Sequence, residues 1–341
     1  MTRNMIILLV TCCSFWSVGS LAAQETKSIK VGLIGLDTSH SIAFSKLLNA
    51  EDAAADVAHC KVVIAYPFGS ADIESSASRI PAYTKQIEEM DIKIADSIKE
   101  LIDVVDVVLL ETNDGRIHLE QAAQVILAGK PLFIDKPVAA SLADAIAIFR
   151  LAEQHQVPVF TSSSLRYSQG AIDIRNGSIG KVEGAMTYSP AHLEPTHPDL
   201  FWYGIHGVEA LFTVMGTGCQ KVSRVSTEDT EYVTGLWDGG RIGSFRGIRG
   251  YKSGYGGTAF GETGIAEVGP YQGYRPLVVD IVRFFRTGVV PVESQESLEI
   301  YAFMEAADES KRQGGKTVSL HDVMKKASTA ADLRLKEVLA K

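Results

Sequence analysis

From Lys27 to about Ser162 the chain alternates short apolar runs with amphipathic segments, and this alternation constrains its fold more than any other feature. The runs at 29–36, 61–66, 104–111, 131–135 and 157–161 read as strands, and the segments at 41–48, 83–90, 119–127 and 142–154 read as helices. Strands apolar on both faces and joined by helical crossovers predict a parallel, doubly wound sheet. Local chemistry supports the boundaries. Ser97-Ile98-Lys99-Glu100 has capping-box spacing, and Gly129 closes a helix just before Pro131.

After Arg166 the pattern changes. Strands at 181–189, 221–227, 232–237, 241–246 and 258–267 follow one another in meander fashion, with Asp238-Gly239-Gly240 as one of the turns. A helix is expected over 204–215, and others over 276–287, 297–313 and 320–341. The fold class is therefore α/β, a doubly wound parallel sheet plus an α+β domain on a mostly antiparallel open sheet. The domain limits are 28–162 and 163–341, and the last helices are able to pack back on the first domain. No repeat or low-complexity linker interrupts the chain.

Residues 1–23 read as a signal peptide, with Arg3 ahead of an apolar run and small residues at Ser20, Ala22 and Ala23 for cleavage. The run is short for a membrane span of about 20 residues. A periplasmic or secreted location is expected. The net charge of −8 falls by one more without Arg3. That balance disfavours nucleic acid and anionic lipid as partners and suits a small neutral ligand. Cys60 and Cys219, far apart in sequence, read as buried thiols more readily than as a disulfide.

The stretch Gly35-Leu36-Asp37-Thr38-Ser39-His40 joins the first strand to the first helix, the setting of a phosphate-binding turn. In G-x-G-x-x-G the second glycine admits the pyrophosphate and the third admits close helix packing. Those two places hold Asp37 and His40. Asp37, Thr38 and Ser39 also suit a helix N-cap, and Asp37 with His40 could form an acid–base pair or hold a cation. The second strand runs into Tyr66-Pro67-Phe68-Gly69, and the nearest acid for a ribose is Asp72. The loop from His192 to Asp199 is rich in polar ligands but has no recognised zinc spacing, so no metal is assigned.

Together the first strand and turn, Glu111-Thr112-Asn113 with His118, Asp135-Lys136-Pro137 and Gly204-Ile205-His206 resemble the glucose-fructose oxidoreductase, inositol dehydrogenase and MocA family. The resemblance covers nearly the whole chain after residue 23. It implies a Rossmann-like first domain that binds NAD or NADP through Gly35, Asp37, Thr38, Ser39, His40, Glu111, Asn113, His118, Asp135 and Lys136. It also implies a sugar or polyol bound between the domains, and a homo-oligomer. Lys136 matches the Lys of the family's Glu-Lys-Pro motif, a catalytic and substrate-binding residue, and His206 matches the family's catalytic His. The acid that precedes that His by four residues falls here on Trp202. His206 then needs another partner, and Glu209, His197, Glu194 and Asp199 are near in sequence.

Lys136 at a sheet edge could donate to a substrate hydroxyl, and His206 has an ordinary pKa suited to general-base work. Phe201-Trp202-Tyr203 and the glycine-rich stretch from Gly247 to Tyr255 offer aromatic faces to a sugar. Arg166, Tyr167, Trp202, Tyr203 and Glu209 complete the expected substrate contacts, while Ser162-Ser163-Ser164 reads as the crossover between domains. The leading expectation is an oxidoreductase acting on a sugar or polyol. Two alternatives stay open: a lyase, hydrolase or epimerase that uses no nicotinamide and acts on a keto-sugar, or a non-catalytic sugar-binding protein.

Overall fold

A computed structural model describes residues 28–340; the expected signal peptide lies outside the described residues. Six parallel strands, β1 (Ile29–Ile34), β2 (Cys60–Tyr66), β3 (Lys93–Ile94), β4 (Val107–Leu110), β5 (Leu132–Ile134) and β6 (Val159–Thr161), form the first sheet in the order β3-β2-β1-β4-β5-β6. The order reverses between β1 and β4, so the crevice at their carboxyl ends is where an open α/β sheet places its ligand. Helices α1 (Ser39–Asn49), α2 (Glu74–Ala77), α3 (Ile80–Glu88), α4 (Ile98–Val104), α5 (His118–Leu127) and α6 (Leu142–Gln154) make the crossovers. Ser97 caps α4, its Oγ accepting the Glu100 N–H at 3.2 Å.

The second unit begins with a single turn at Ser164–Tyr167 and α7 (Gln169–Arg175). Its strands are β7 (Val182–Pro190), β8 (Cys219–Ser226), β9 (Thr230–Trp237), β10 (Ile242–Ile248), β11 (Gly256–Gly261), β12 (Gly264–Glu267) and β13 (Val318–Ser319), and α8 (Ile205–Met215) packs on the face of β7 and β10. Two details differ from the sequence expectation. The run at 258–267 is a hairpin of two strands, β11 and β12, and β10 pairs with β7 in parallel, so the meander is a mixed sheet. Gly207 on α8 allows the close approach, since a Cβ there would stand 2.3 Å from the Phe245 ring.

Three C-terminal helices, α9 (Arg275–Thr287), α10 (Ser294–Arg312) and α11 (Leu320–Leu339), return to the first unit. Leu277, Ile281 and Phe284 of α9 share one buried cluster with Leu33, Phe133 and Phe160 of the parallel sheet. Burial of each such side chain contributes roughly 1.5–3 kcal/mol, so this face alone ties the C-terminal region to the first sheet. α10 and α11 pack on α6. Cys60 and Cys219 are both buried free thiols. Among the described residues no helix is long and apolar enough to cross a membrane.

Candidate active site

A cavity of about 390 Å³ opens at the carboxyl edge of the parallel sheet, between β1, β4, β5 and the second unit. The first unit contributes Thr38, Ser39, His40, Asn113 and Lys136, and the second contributes Ser164, His192, Trp202, Tyr203 and His206. Tyr255, Tyr271 and Tyr274 close it from the β10–β11 connection and the approach to α9.

Lys136 follows β5 directly and is buried, with Nζ 3.9 Å from Asp135 Oδ2. His206 sits at the start of α8, also buried, and its Nδ1 lies 2.7 Å from Ser163 Oγ. Ser163 Oγ also accepts the Leu165 N–H at 3.2 Å, which fixes the hydroxyl oxygen. Ser163 is therefore the partner that Trp202 does not provide. The acids expected nearby have other roles: Glu209 bonds Ser162, Ser163 and Arg166, while Asp199 pairs with Arg224 and Lys311. His197 pairs with Asp114 at 3.3 Å, and the Glu194 carboxylate accepts the Thr196 hydroxyl. Burial, with Lys136 and His40 facing it, holds the His206 pKa well below its ordinary value. The ring is neutral near pH 7, and when Nδ1–H is donated to Ser163 the Nε2 is free to accept a proton.

Tyr203 stacks edge-on between His192 and His206, and its hydroxyl lies 3.0 Å from that of Tyr255. Trp202 packs on His197 at 4.8 Å between ring centroids. Sequence reasoning missed Tyr271, Tyr274 and the role of Ser163. Tyr271 and Tyr274 lie in Gly269-Pro270-Tyr271-Gln272-Gly273-Tyr274, a turn-rich segment whose aromatics were the available signal.

Several expected contacts are redirected. Arg166 is buried between Glu209 at 2.8 Å and Glu296 at 2.7 Å, and Tyr167 is packed against the α9 cluster. Arg166, Tyr167 and Glu209 therefore hold the junction together and do not line the cavity. His118 is fully buried, its Nε2 2.6 Å from the Thr112 carbonyl and Nδ1 3.3 Å from that of Val138, so it braces the β4 and β5 loops. Thr38 is the cap of α1, accepting the His40 N–H at 3.4 Å. His40 pairs with Asp135, not Asp37, and packs against Phe44 and Tyr274.

The turn itself decides how a dinucleotide would sit. Gly35 keeps the first glycine's role, at φ +97° with Thr112 N only 2.4 Å from where a Cβ would be. Asp37, in the second glycine's place, is fully buried: its carboxylate accepts the Asn113 N–H at 3.0 Å and the Ser76 hydroxyl. Gly69 sits directly over it, since a Cβ there would stand 2.8 Å from Asp37 Cβ. Ser70 bonds Asp114, and Arg116 bonds Asp72 and Asp114, so the loop after β2 is fastened across the crevice. A buried carboxylate with its own donors thus stands in the pyrophosphate place, so a dinucleotide fits only if Asp37 and the loop after β2 move.

Over residues 29–163 the sequence matches an oxidoreductase family, GFO_IDH_MocA, described as having an NAD-binding Rossmann fold. The match spans the first unit, so that unit is similar to the family's Rossmann domain. Inositol 2-dehydrogenase of Gluconacetobacter diazotrophicus is 33% identical to this chain over 99 residues, 27% of this chain and 29% of the relative. The match therefore spans less than a third of that relative's length. Among solved structures, scyllo-inositol dehydrogenase of Lactobacillus casei, with bound NAD(H) and scyllo-inositol, superposes with a TM-score of 0.67 at 15% identity, over 86% of this chain and 100% of the other. An oxidoreductase from Agrobacterium radiobacter, in complex with NAD+, L-tartaric acid and magnesium, gives 0.68 at 14% identity, over 87% and 99%. These likenesses establish the two-unit fold. The family's description supports a nicotinamide cofactor, with NAD or NADP left open.

Proposed function

We propose that this protein is an exported enzyme of the oxidoreductase family that its first unit matches, acting on a sugar or polyol, in which Lys136 and His206 move the proton of a substrate hydroxyl. The observation that carries the reading is that a buried Lys and a neutral buried His from different units face one polar, tyrosine-rich cavity. Lys136 donates to the hydroxyl or carbonyl oxygen and stabilises negative charge there, and His206 Nε2 takes or returns the proton. Ser163 holds the imidazole, and Trp202, Tyr203 and Tyr255 give the ring its stacking faces. The inositol dehydrogenases among the relatives favour dehydrogenation of a polyol as the reaction, for which a bound nicotinamide would be the oxidant that accepts the hydride.

A second reading is favoured by Asp37. With the pyrophosphate place filled, the same pair suits proton abstraction beside the carbonyl of a keto-sugar, giving elimination or epimerisation with no net redox. Two measurements on protein from the exported fraction separate the readings: mass spectrometry of small molecules released on denaturation, and NAD(P) titration calorimetry. Stoichiometric or bindable nicotinamide supports dehydrogenation. Neither, with turnover of a keto-sugar in a substrate panel, supports the second reading. No turnover of any inositol, aldose, ketose or keto-sugar leaves a binding protein and overturns the enzymatic proposal.

A further inference from the structure

Three side chains from three chain segments converge beside Lys136. His40 comes from α1, Glu111 from the end of β4 and Asp135 from the end of β5, and one donor atom of each lies within 4.8 Å of the others. All three are buried. His40 Nδ1 and Asp135 Oδ2 are 2.8 Å apart, yet Nδ1 has no partner in hydrogen-bonding alignment. Both carboxylate oxygens of Glu111 and Asp135 Oδ1 also lack any hydrogen-bond partner. A fully enclosed carboxylate with neither oxygen bonded is rare, because nothing replaces the water it gave up. Lys136, 3.9 Å away, and His40 both face Asp135, and neither is hydrogen-bonded to Glu111. A proton on Glu111 would cancel its charge but would leave an O–H with no acceptor.

We propose that His40, Glu111 and Asp135 bind one divalent first-row cation, such as Mn²⁺ or Zn²⁺. One imidazole and two carboxylates form a mixed nitrogen–oxygen donor set suited to those ions, and three protein ligands leave positions for water or substrate. His40 is also part of the cavity wall, with Glu111 and Asp135 buried behind it, so the ion would lie at the edge of the space shared by Lys136 and His206. Its substrate class is an oxygen ligand, a hydroxyl or carbonyl of the bound sugar. The cation replaces the missing partners of Glu111 and leaves Lys136 free to serve the substrate. The inference goes beyond the hydroxyl-proton reading, because ion binding is measured without turnover.

The test uses the intact protein. Elemental analysis of protein purified without chelator, followed by Mn²⁺ titration of the chelator-treated protein under electron paramagnetic resonance, should give one ion per chain. The bound Mn²⁺ spectrum should carry nitrogen coupling from one imidazole. Glu111→Gln and His40→Gln should each weaken binding more than about 100-fold, beyond the ~10–100-fold typical of losing a supporting contact. Tyr271→Phe, a cavity change outside the cluster, should leave the affinity unchanged. No stoichiometric ion, or binding indifferent to Glu111→Gln and His40→Gln, overturns the proposal. If those variants do not fold, the wild-type spectrum decides: nitrogen coupling supports the site and its absence overturns it.

Discussion

The carboxylate of Asp37 accepts the backbone N–H of Asn113 at 3.0 Å, bridging the ends of β1 and β4 at the point where the strand order reverses. A glycine at position 37 would leave that N–H and the crevice beside it to a ligand. Asp37 supplies the anion from within the chain.

Removing that anion should reopen the turn. Asp37→Gly is expected to bind NAD(H) at least about 10-fold more tightly than the wild type, a gain of about 1.4 kcal/mol. Nucleotide fluorescence titration reads it, and equal affinities would show that some other feature closes the crevice.

The same carboxyl makes stability depend on pH. Burial pushes the Asp37 pKa up to about 6, against about 3.9 in an unfolded chain. Between those values the folded state holds a proton that the unfolded state has lost, so this contribution is present below about pH 4 and is lost as pH rises through 6. Its size is on the order of 3 kcal/mol. Urea unfolding midpoints from pH 4 to 7 should fall more steeply for the wild type than for Asp37→Asn.

Ser163 should act through His206. Ser163→Ala is expected to lower kcat about 10-fold with little change in KM and to displace the pH profile of kcat, while His206→Asn should cost the ~10²–10⁴-fold typical of a lost general base. An unchanged pH profile in Ser163→Ala would reduce the 2.7 Å contact to a packing detail.

Arg166 is expected to matter for the fold. Arg166→Met leaves Glu209 and Glu296 without a shared buried cation, and breaking such a pair costs about 3–5 kcal/mol. The loss should be visible as a lower thermal midpoint. A midpoint within one degree of the wild type would show that Arg175, already on Glu296, takes over the charge.

What could be read from the chain follows from the range of the interactions. The strands of the parallel sheet are legible because burial on both faces makes them continuous apolar runs, as in Val107–Leu110. The two-residue β3 is not, having one exposed and one half-buried residue. Lys136 and His206 were legible as motif residues. The partner of His206 was not, since Ser163 lies in a serine run that resembles a linker. Arg166 looked like a cleft residue because its partners Glu209 and Glu296 are 43 and 130 positions away. Glu111 and Asp135 were read as cofactor contacts, but only the packed structure shows that Glu111 has no hydrogen-bond partner.

The return of α9 to the parallel sheet has a mechanical consequence. The chain leaves the first unit after β6 and comes back through Leu277, Ile281 and Phe284, so the cavity is straddled by two covalent connections with packed cores at both ends. Such a doubly strapped frame resists opening like a hinge. Traffic into the site falls to smaller gates, the tyrosine rim and the fastened loop after β2, and turnover should follow the local loosening of those segments rather than a swing of one half against the other.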